Sequence, residues 1–323
     1  MSEIARPADA VRRRGPPVTL IAGLLLILAC EALLIVDLAG RGIVPVVEPL
    51  PPPHGPLAVL ARLAAVLMTP LCWTGFLLAA DGAFAWRGDS PVRRHPRRFA
   101  LAYATSIPVW LFFDAVNFGA IHAWTYHGLP QSLPLRWAGY VLAFGAISPA
   151  MFLVAEGVIR TRFGTVEGRP LRFGMGAHRI MIAVGIAFVV FPVFVQEPIG
   201  ALTLWIGLAL LLDPINDRLG APSLLADWRA GWYGRTVALL VGGLVCGLLW
   251  EFWNYAAVAK WTYNLPFLGP LERLRYFEMP LPGLLGFPPF AIECWAAFQT
   301  IAWVWNRVER LPPVEPVGPD DVL

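Results

Sequence analysis

Long apolar runs alternate along this chain with short polar breaks. A helix needs about 20 predominantly apolar residues to cross the hydrocarbon core of a bilayer. By that measure the pattern predicts about eight crossings, near residues 18–39, 57–80, 99–121, 135–159, 180–195, 199–212, 236–259 and 282–305. The breaks differ in chemistry. Residues 45–56 are rich in proline, which cannot continue a helix. Residues 87–98 and 160–179 are rich in arginine, and 213–235 carry Pro, Gly and Asn as helix breakers. The tail from Arg310 is Pro-rich and acidic and reads as disordered.

Composition agrees with the pattern. Of 323 residues 57% are hydrophobic and only 15% charged, and the mean hydropathy is +0.61. Soluble domains keep roughly a quarter of their residues charged. The expected fold is therefore an all-α, polytopic integral membrane protein. All four cysteines lie inside apolar runs, which argues against a disulfide framework. The net charge of +3 is modest and gives no reason to expect nucleic acid as a partner. The polar N-terminal tail, the two arginine-rich breaks, residues 213–235 and the C-terminal tail hold most of the 25 basic residues. By the positive-inside rule these segments face the cytoplasm, with both termini. A bacterial inner membrane is the expected location. Arg12-Arg13-Arg14 before the run from Val18 reads as the flank of an uncleaved first helix, since the run continues past Cys30.

One stretch occurs twice. Residues 114–126 (Asp-Ala-Val-Asn … Trp-Thr-Tyr) align without a gap on 251–263 (Glu-Phe-Trp-Asn … Trp-Thr-Tyr) at a constant shift of 137. Glu156 and Glu293 are separated by the same 137, and Trp73-x-Gly-x5-Asp81 returns as Trp205-x-Gly-x5-Asp213. This predicts two parallel four-helix repeats, 18–160 and 161–309, between tails 1–17 and 310–323, with a pseudo-two-fold axis along the membrane normal.

Charged groups within spans cost a few kcal/mol and are usually functional. At positions i and i+3 of a helix, Asp114 sits beside Asn117 and Glu251 beside Asn254. At about 1.5 Å per residue both acids fall in the outer half of the membrane. Trp124, Tyr126, Trp261 and Tyr263 follow at the outer interface, where a plain aromatic belt is the competing explanation. Glu293 falls near mid-membrane, and Glu156 nearer the cytoplasmic face. The segment 277–289, with Glu278, is too broken for a regular helix, and such backbone at membrane depth must border protein or a cavity. The first repeat has Val141 where the second has Glu278, so the second half is the expected working half. The candidate catalytic residues are thus Glu251, Glu293, Asn254, Asp114 and Asn117. Trp261, Tyr263, Glu278, Trp124, Tyr126 and Glu156 are the candidate substrate contacts. His122 and His127 flank Trp124 without a third ligand in metal spacing, and no pattern names a metal or cofactor.

The Trp-Glu-Phe-Trp-Asn … Lys-Trp-Thr-Tyr … Phe-Glu-Met-Pro … Phe-Ala-Ile-Glu series of residues 250–293 resembles a family of uncharacterised bacterial multi-pass membrane proteins. More faintly, the spacings Asp114 to Trp124 and Glu251 to Trp261 are similar to those of membrane lycopene cyclases, although the Pro-x-Glu-Glu motif of those enzymes is absent. That resemblance implies proton-initiated chemistry on a polyene, which needs a carboxylic acid kept neutral by burial and aromatic faces for the cation. The leading expectation is intramembrane chemistry on a lipid or isoprenoid held in the bilayer. A proton-coupled transporter with its site between the repeats, or a non-catalytic scaffold whose acids only pair, are the alternatives. A lipid-open apolar pocket favours the enzyme, and a water path the carrier.

Overall fold

The computed structural model describes residues 15–42, 50–318 and 321–323. The N-terminal arginine triplet and residues 45–49 of the Pro-rich break lie outside the described residues. In chain order the helices are α1 (Val18–Arg41), α2 (Pro56–Val66), α3 (Met68–Trp86), the single turn α4 (Pro91–Arg94) and α5 (Pro96–Val116). After α5 come a wide turn at Asn117–Ile121 and a strand, β1 (Trp124–His127). Next are α6 (Leu133–Ile159), α7 (Met175–Phe194), α8 (Gly200–Leu219), the short α9 (Leu224–Ala230) and α10 (Gly234–Tyr255). Strands β2 (Lys260–Tyr263), β3 (Arg275–Tyr276) and β4 (Met279–Pro280) and helix α11 (Phe287–Trp305) complete the chain.

Six helices among the described residues are long and apolar enough to cross a membrane: α1, α5 with its terminal turn, α6, α7, α10, and α11 with the turn before it. A seventh crossing is broken, because α2 and α3 meet at 74°. Helix α8 has the length, yet Asp213, Asn216, Asp217 and Arg218 occupy its C-terminal turns, and it is not among the six. Length and hydropathy thus support a multi-pass helical membrane protein, but not the expected count of eight. Helices α1 and α7 bury little of their surface, and leave Leu24, Leu25, Leu28, Ile186 and Val193 exposed. A helix apolar all round and open to its surroundings belongs against lipid.

Helix α1 packs on α3 as α7 packs on α8; α3 lies on α6 as α8 lies on α11; α5 contacts α6 and α11, and α10 contacts α11 and α6. The two Trp-x-Gly-x5-Asp motifs sit alike in this arrangement. A Cβ on Gly75 would lie 2.9 Å from the Gly23 carbonyl oxygen on α1, and one on Gly207 3.1 Å from the Val189 nitrogen on α7. Small residues at these points let the helix axes approach closely. Asp81 accepts from the Ser90 hydroxyl at 2.7 Å and the Val92 N–H at 3.1 Å, capping α4; Asp213 accepts from the Leu224 and Leu225 N–H groups at 2.8 and 3.0 Å, capping α9.

Two features depart from the sequence reading. The Trp-Thr-Tyr segments are strands: β1 pairs antiparallel with β2 in the register Trp124↔Tyr263, Thr125↔Thr262, Tyr126↔Trp261 and His127↔Lys260. Four-residue strands hide inside a helical hydropathy pattern, and their pairing needs the two stretches side by side. The tail beyond Arg310 is also laid against the protein, with Val314, Val322 and Leu323 buried.

Candidate functional site

The site is assembled where α5 and α10 end. Asn117 is fully buried, and its side chain replaces the backbone partners lost there: Oδ1 accepts from the Ala123 and Trp124 N–H groups at 2.8 and 3.1 Å, while Nδ2 donates to the Trp124 carbonyl at 2.8 Å. Asn254 does the same for Trp261, with Oδ1 accepting from its N–H and Nδ2 donating to its carbonyl, both at 2.8 Å. Both asparagines, expected as catalytic residues, instead hydrogen-bond local backbone in the structure. Their amides are spent on bracing the helix-to-strand corners, which aims the aromatic side chains of β1 and β2 inward.

Those aromatics meet the acids. Asp114 Oδ1 accepts from Trp124 Nε1 and from the Tyr126 hydroxyl, each at 3.1 Å, and Trp110 Nε1 donates to the same hydroxyl at 3.1 Å. In the other half, Tyr263 donates to Glu251 Oε1 at 2.8 Å and accepts from Trp261 Nε1 at 2.7 Å. Glu251 is completely buried, and its Oε2 has no hydrogen-bond partner among the described residues. Each acid therefore sits behind a tyrosine.

In front of the tyrosines lies a cavity of about 70 Å³, walled by Trp110, Trp124, Trp205, Trp250, Trp261, Phe144, Phe287 and Phe290 besides Tyr126 and Tyr263. Neither acid lines it. A larger apolar cavity of about 350 Å³ adjoins it, shares Trp124, Trp205, Tyr263, Met279 and Phe287, and reaches Leu202, Ile206 and Leu285. Those three are exposed apolar side chains, Leu285 at 76%, so this cavity opens sideways between α8 and the turn before α11. On the opposite flank a further cavity of about 70 Å³ shares Tyr126, Phe144 and Trp261 with the chamber and runs to Leu67 and Leu135.

The two acids differ in their surroundings. Asp114 borders a groove of about 440 Å³ with Leu111, Phe118 and Tyr140. Glu251 is covered instead by the β3–β4 hairpin, whose Phe277 packs against Phe252 and Tyr255. Glu278, on that hairpin, forms an ion pair with the buried Lys260, whose ammonium also donates to the Tyr255 carbonyl at 2.8 Å. It anchors the hairpin and does not line the chamber, contrary to the expected substrate contact.

The structure also separates the other two glutamates from the chamber wall. Glu293 is fully buried in α11, accepting from the Leu208 N–H of α8 at 2.9 Å through Oε1, with Oε2 unpartnered among the described residues. Glu156 lies at the other end of the molecule and accepts from the Val322 and Leu323 N–H groups, both at 2.8 Å; the expected substrate contact is a tail anchor. Among the described residues no group of three or more His, Cys, Asp or Glu could hold a metal, and His127 hydrogen-bonds Thr262 at 2.8 Å.

Several polar residues escaped the sequence reading. Glu31 of α1 accepts from Trp253 Nε1 at 3.1 Å, and Asp37 pairs with Arg41 and Arg62. Trp110, Trp205 and Trp250 are chamber walls. A lone acid in an apolar run was signal enough for Glu31. The wall residues carry none, because an aromatic in a membrane helix looks the same whether it faces lipid or a cavity.

Fold and site together define a multi-pass helical membrane protein with an aromatic chamber enclosed between its helices. No family, curated protein or solved structure matches the chain.

Proposed function

We propose that the protein carries out intramembrane chemistry on a lipid or isoprenoid chain that enters the aromatic chamber sideways from the bilayer. The observation that carries this reading is the chamber itself: apolar, beside a cavity that opens between α8 and the turn before α11, and furnished with two tyrosine hydroxyls that each have a carboxyl group behind them. In its protonated form Glu251 can pass a proton through Tyr263. For this Glu251 carries its proton on Oε1 and donates it to the Tyr263 oxygen, reversing the hydrogen bond of the resting geometry. The freed hydroxyl proton then passes to a substrate double bond as the carboxyl proton moves to the phenol oxygen. A carboxylate then remains as counter-charge to the carbocation, which faces Trp205 and Trp250. Glu251 with Tyr263 is the sealed pair, and Asp114 with Tyr126 the pair beside the groove. The resemblance to lycopene cyclase spacings accords with this chemistry. A transporter would need a wetter path than these walls offer.

We further propose that the chain crosses a bacterial inner membrane eight times, α8 and the bent α2–α3 pair each counting as one crossing, as two parallel repeats with both termini cytoplasmic. Arginine placement supports the orientation. Single cysteines at positions 89, 167 and 218, in a cysteine-free background, are then expected to resist an impermeant thiol reagent in intact cells. Those at 52, 131 and 271 are expected to react. Reversed labelling contradicts the orientation.

To test the activity, the purified protein is incubated in vesicles with a total membrane lipid extract, and products are sought by mass spectrometry. A lipid product made by the wild type and absent with Glu251→Gln supports the enzyme. No lipid change, together with solute-dependent proton uptake that Glu251→Gln abolishes, makes it a carrier.

A further inference from the structure

At the opposite end of the molecule, where α5 and α10 begin, a second set of buried polar groups has no part in the chamber. Arg98 and Arg235 are buried to 2% and 3% exposure and are themselves 137 residues apart, one near the start of each helix. Both reach the C-terminal tail, at Glu315, Gly318 and Asp321. Arg98 Nη1 donates to the Glu315 carbonyl at 3.1 Å, and Arg235 donates to the Gly318 and Asp321 carbonyls at 3.1 and 3.2 Å. The segment also supplies negative charge. The Glu315 carboxylate accepts from the Arg98 backbone N–H at 3.1 Å, on the first turn of α5, and Asp321 pairs with Arg94 at 2.8 Å. A helix start with free N–H groups is a ready anion site.

The segment leaves that site incompletely satisfied. Arg98 Nε and Gln299 Nε2 are buried without a hydrogen-bond partner among the described residues, and the His95 ring beside them makes no hydrogen bond there either, its Nε2 lying 3.6 Å from Asp321 Oδ2. Gln299 is 1% exposed, and its amide oxygen accepts from Arg98 Nη2 at 2.8 Å, so its unpartnered nitrogen lies beside that guanidinium. Buried polar groups are costly to leave unpaired. Two such atoms on Arg98 and its neighbour Gln299, against a segment that answers them only with Glu315 and Asp321, describe a site built for a ligand richer in acceptors.

We infer that this is a binding site for an oxyanion of the phosphate type, which the C-terminal tail occupies in cis through Glu315 and Asp321. A phosphate group offers several acceptor oxygens in a compact tetrahedron, where the segment offers separate carbonyls and carboxylates. It would meet Arg98, His95 and Gln299 together from the aqueous side on which α5 and α10 begin.

The test uses the full chain in detergent, with inorganic phosphate as probe and hydrogen–deuterium exchange as readout. Val322 and Leu323 N–H groups are held by Glu156, so they report whether the segment is seated. Phosphate is expected to deprotect them saturably, and chloride at equal ionic strength is not. Glu315→Gln with Asp321→Asn, which removes both competing charges, is expected to lower the midpoint by about tenfold or more, and Arg98→Gln to abolish the response. Vesicles of phosphatidylglycerol deprotecting the same amides in place of free phosphate, with phosphatidylcholine inert, identify the oxyanion as a lipid headgroup. Exchange unchanged by phosphate and by phosphatidylglycerol in both the wild type and the double variant overturns the proposal, as does a response that chloride reproduces or that Arg98→Gln retains.

Discussion

Tyr263→Phe is expected to lower turnover of the lipid substrate by about two to four orders of magnitude, the range a positioned general acid contributes. The ring stays, so the chamber keeps its wall and an apolar chain should still bind. What goes is the hydroxyl, the atom that joins Glu251 to the cavity. Glu251→Gln should fall by a similar factor, because the two groups act as one relay, and the double variant should be little worse than either single one. Tyr126→Phe removes the matching link to Asp114 and is expected to cost less if the sealed half is the working half. Retained lipid binding with lost turnover is the informative pattern. Loss of both together would mean that the hydroxyl only holds the fold.

The largest stability effect is expected at Asn117. Replacing it with alanine strips partners from two N–H groups and one carbonyl at a fully buried corner. At the low end of the about 1–3 kcal/mol that each unsatisfied group costs, the three together lose about 3–5 kcal/mol, at the severe end for a single substitution. Asn254→Ala, which breaks two such bonds, should cost somewhat less. Thermal melting in detergent measures both, with Thr125→Ser on the exposed side of β1 as a neutral control. If Asn117→Ala melts like the wild type but loses activity, the asparagine belongs to the chemistry after all.

Much of this was legible in the sequence, for definite reasons. Hydropathy runs locate membrane helices because a helix in lipid satisfies its own backbone. The repeated acid, Asn and Trp-Thr-Tyr could be read as a unit because they lie within a few turns of one another. What those residues do was harder to see. Asn117 and Asn254 look like site residues in a string of letters, yet they spend their amides on local backbone. Glu278 looks like a free acid until Lys260, 18 residues earlier, is found beside it. Glu156 meets its partners 166 and 167 residues away, in a tail that composition marks as disordered. Contacts of that separation depend on packing that no periodicity encodes. The same holds for the chamber, whose walls come from nine elements between α3 and α11.

The central claim is that a lipid chain occupies this chamber, and photo-crosslinking tests it most directly. Photoleucine at position 147, a buried wall residue of the chamber, is compared in native membranes with photoleucine at 28, on the open face of α1. Both positions are expected to yield lipid adducts: bulk membrane lipid at 28, and at 147 a restricted species that competes with added substrate lipid. Adducts at 28 with none at 147 would contradict the account.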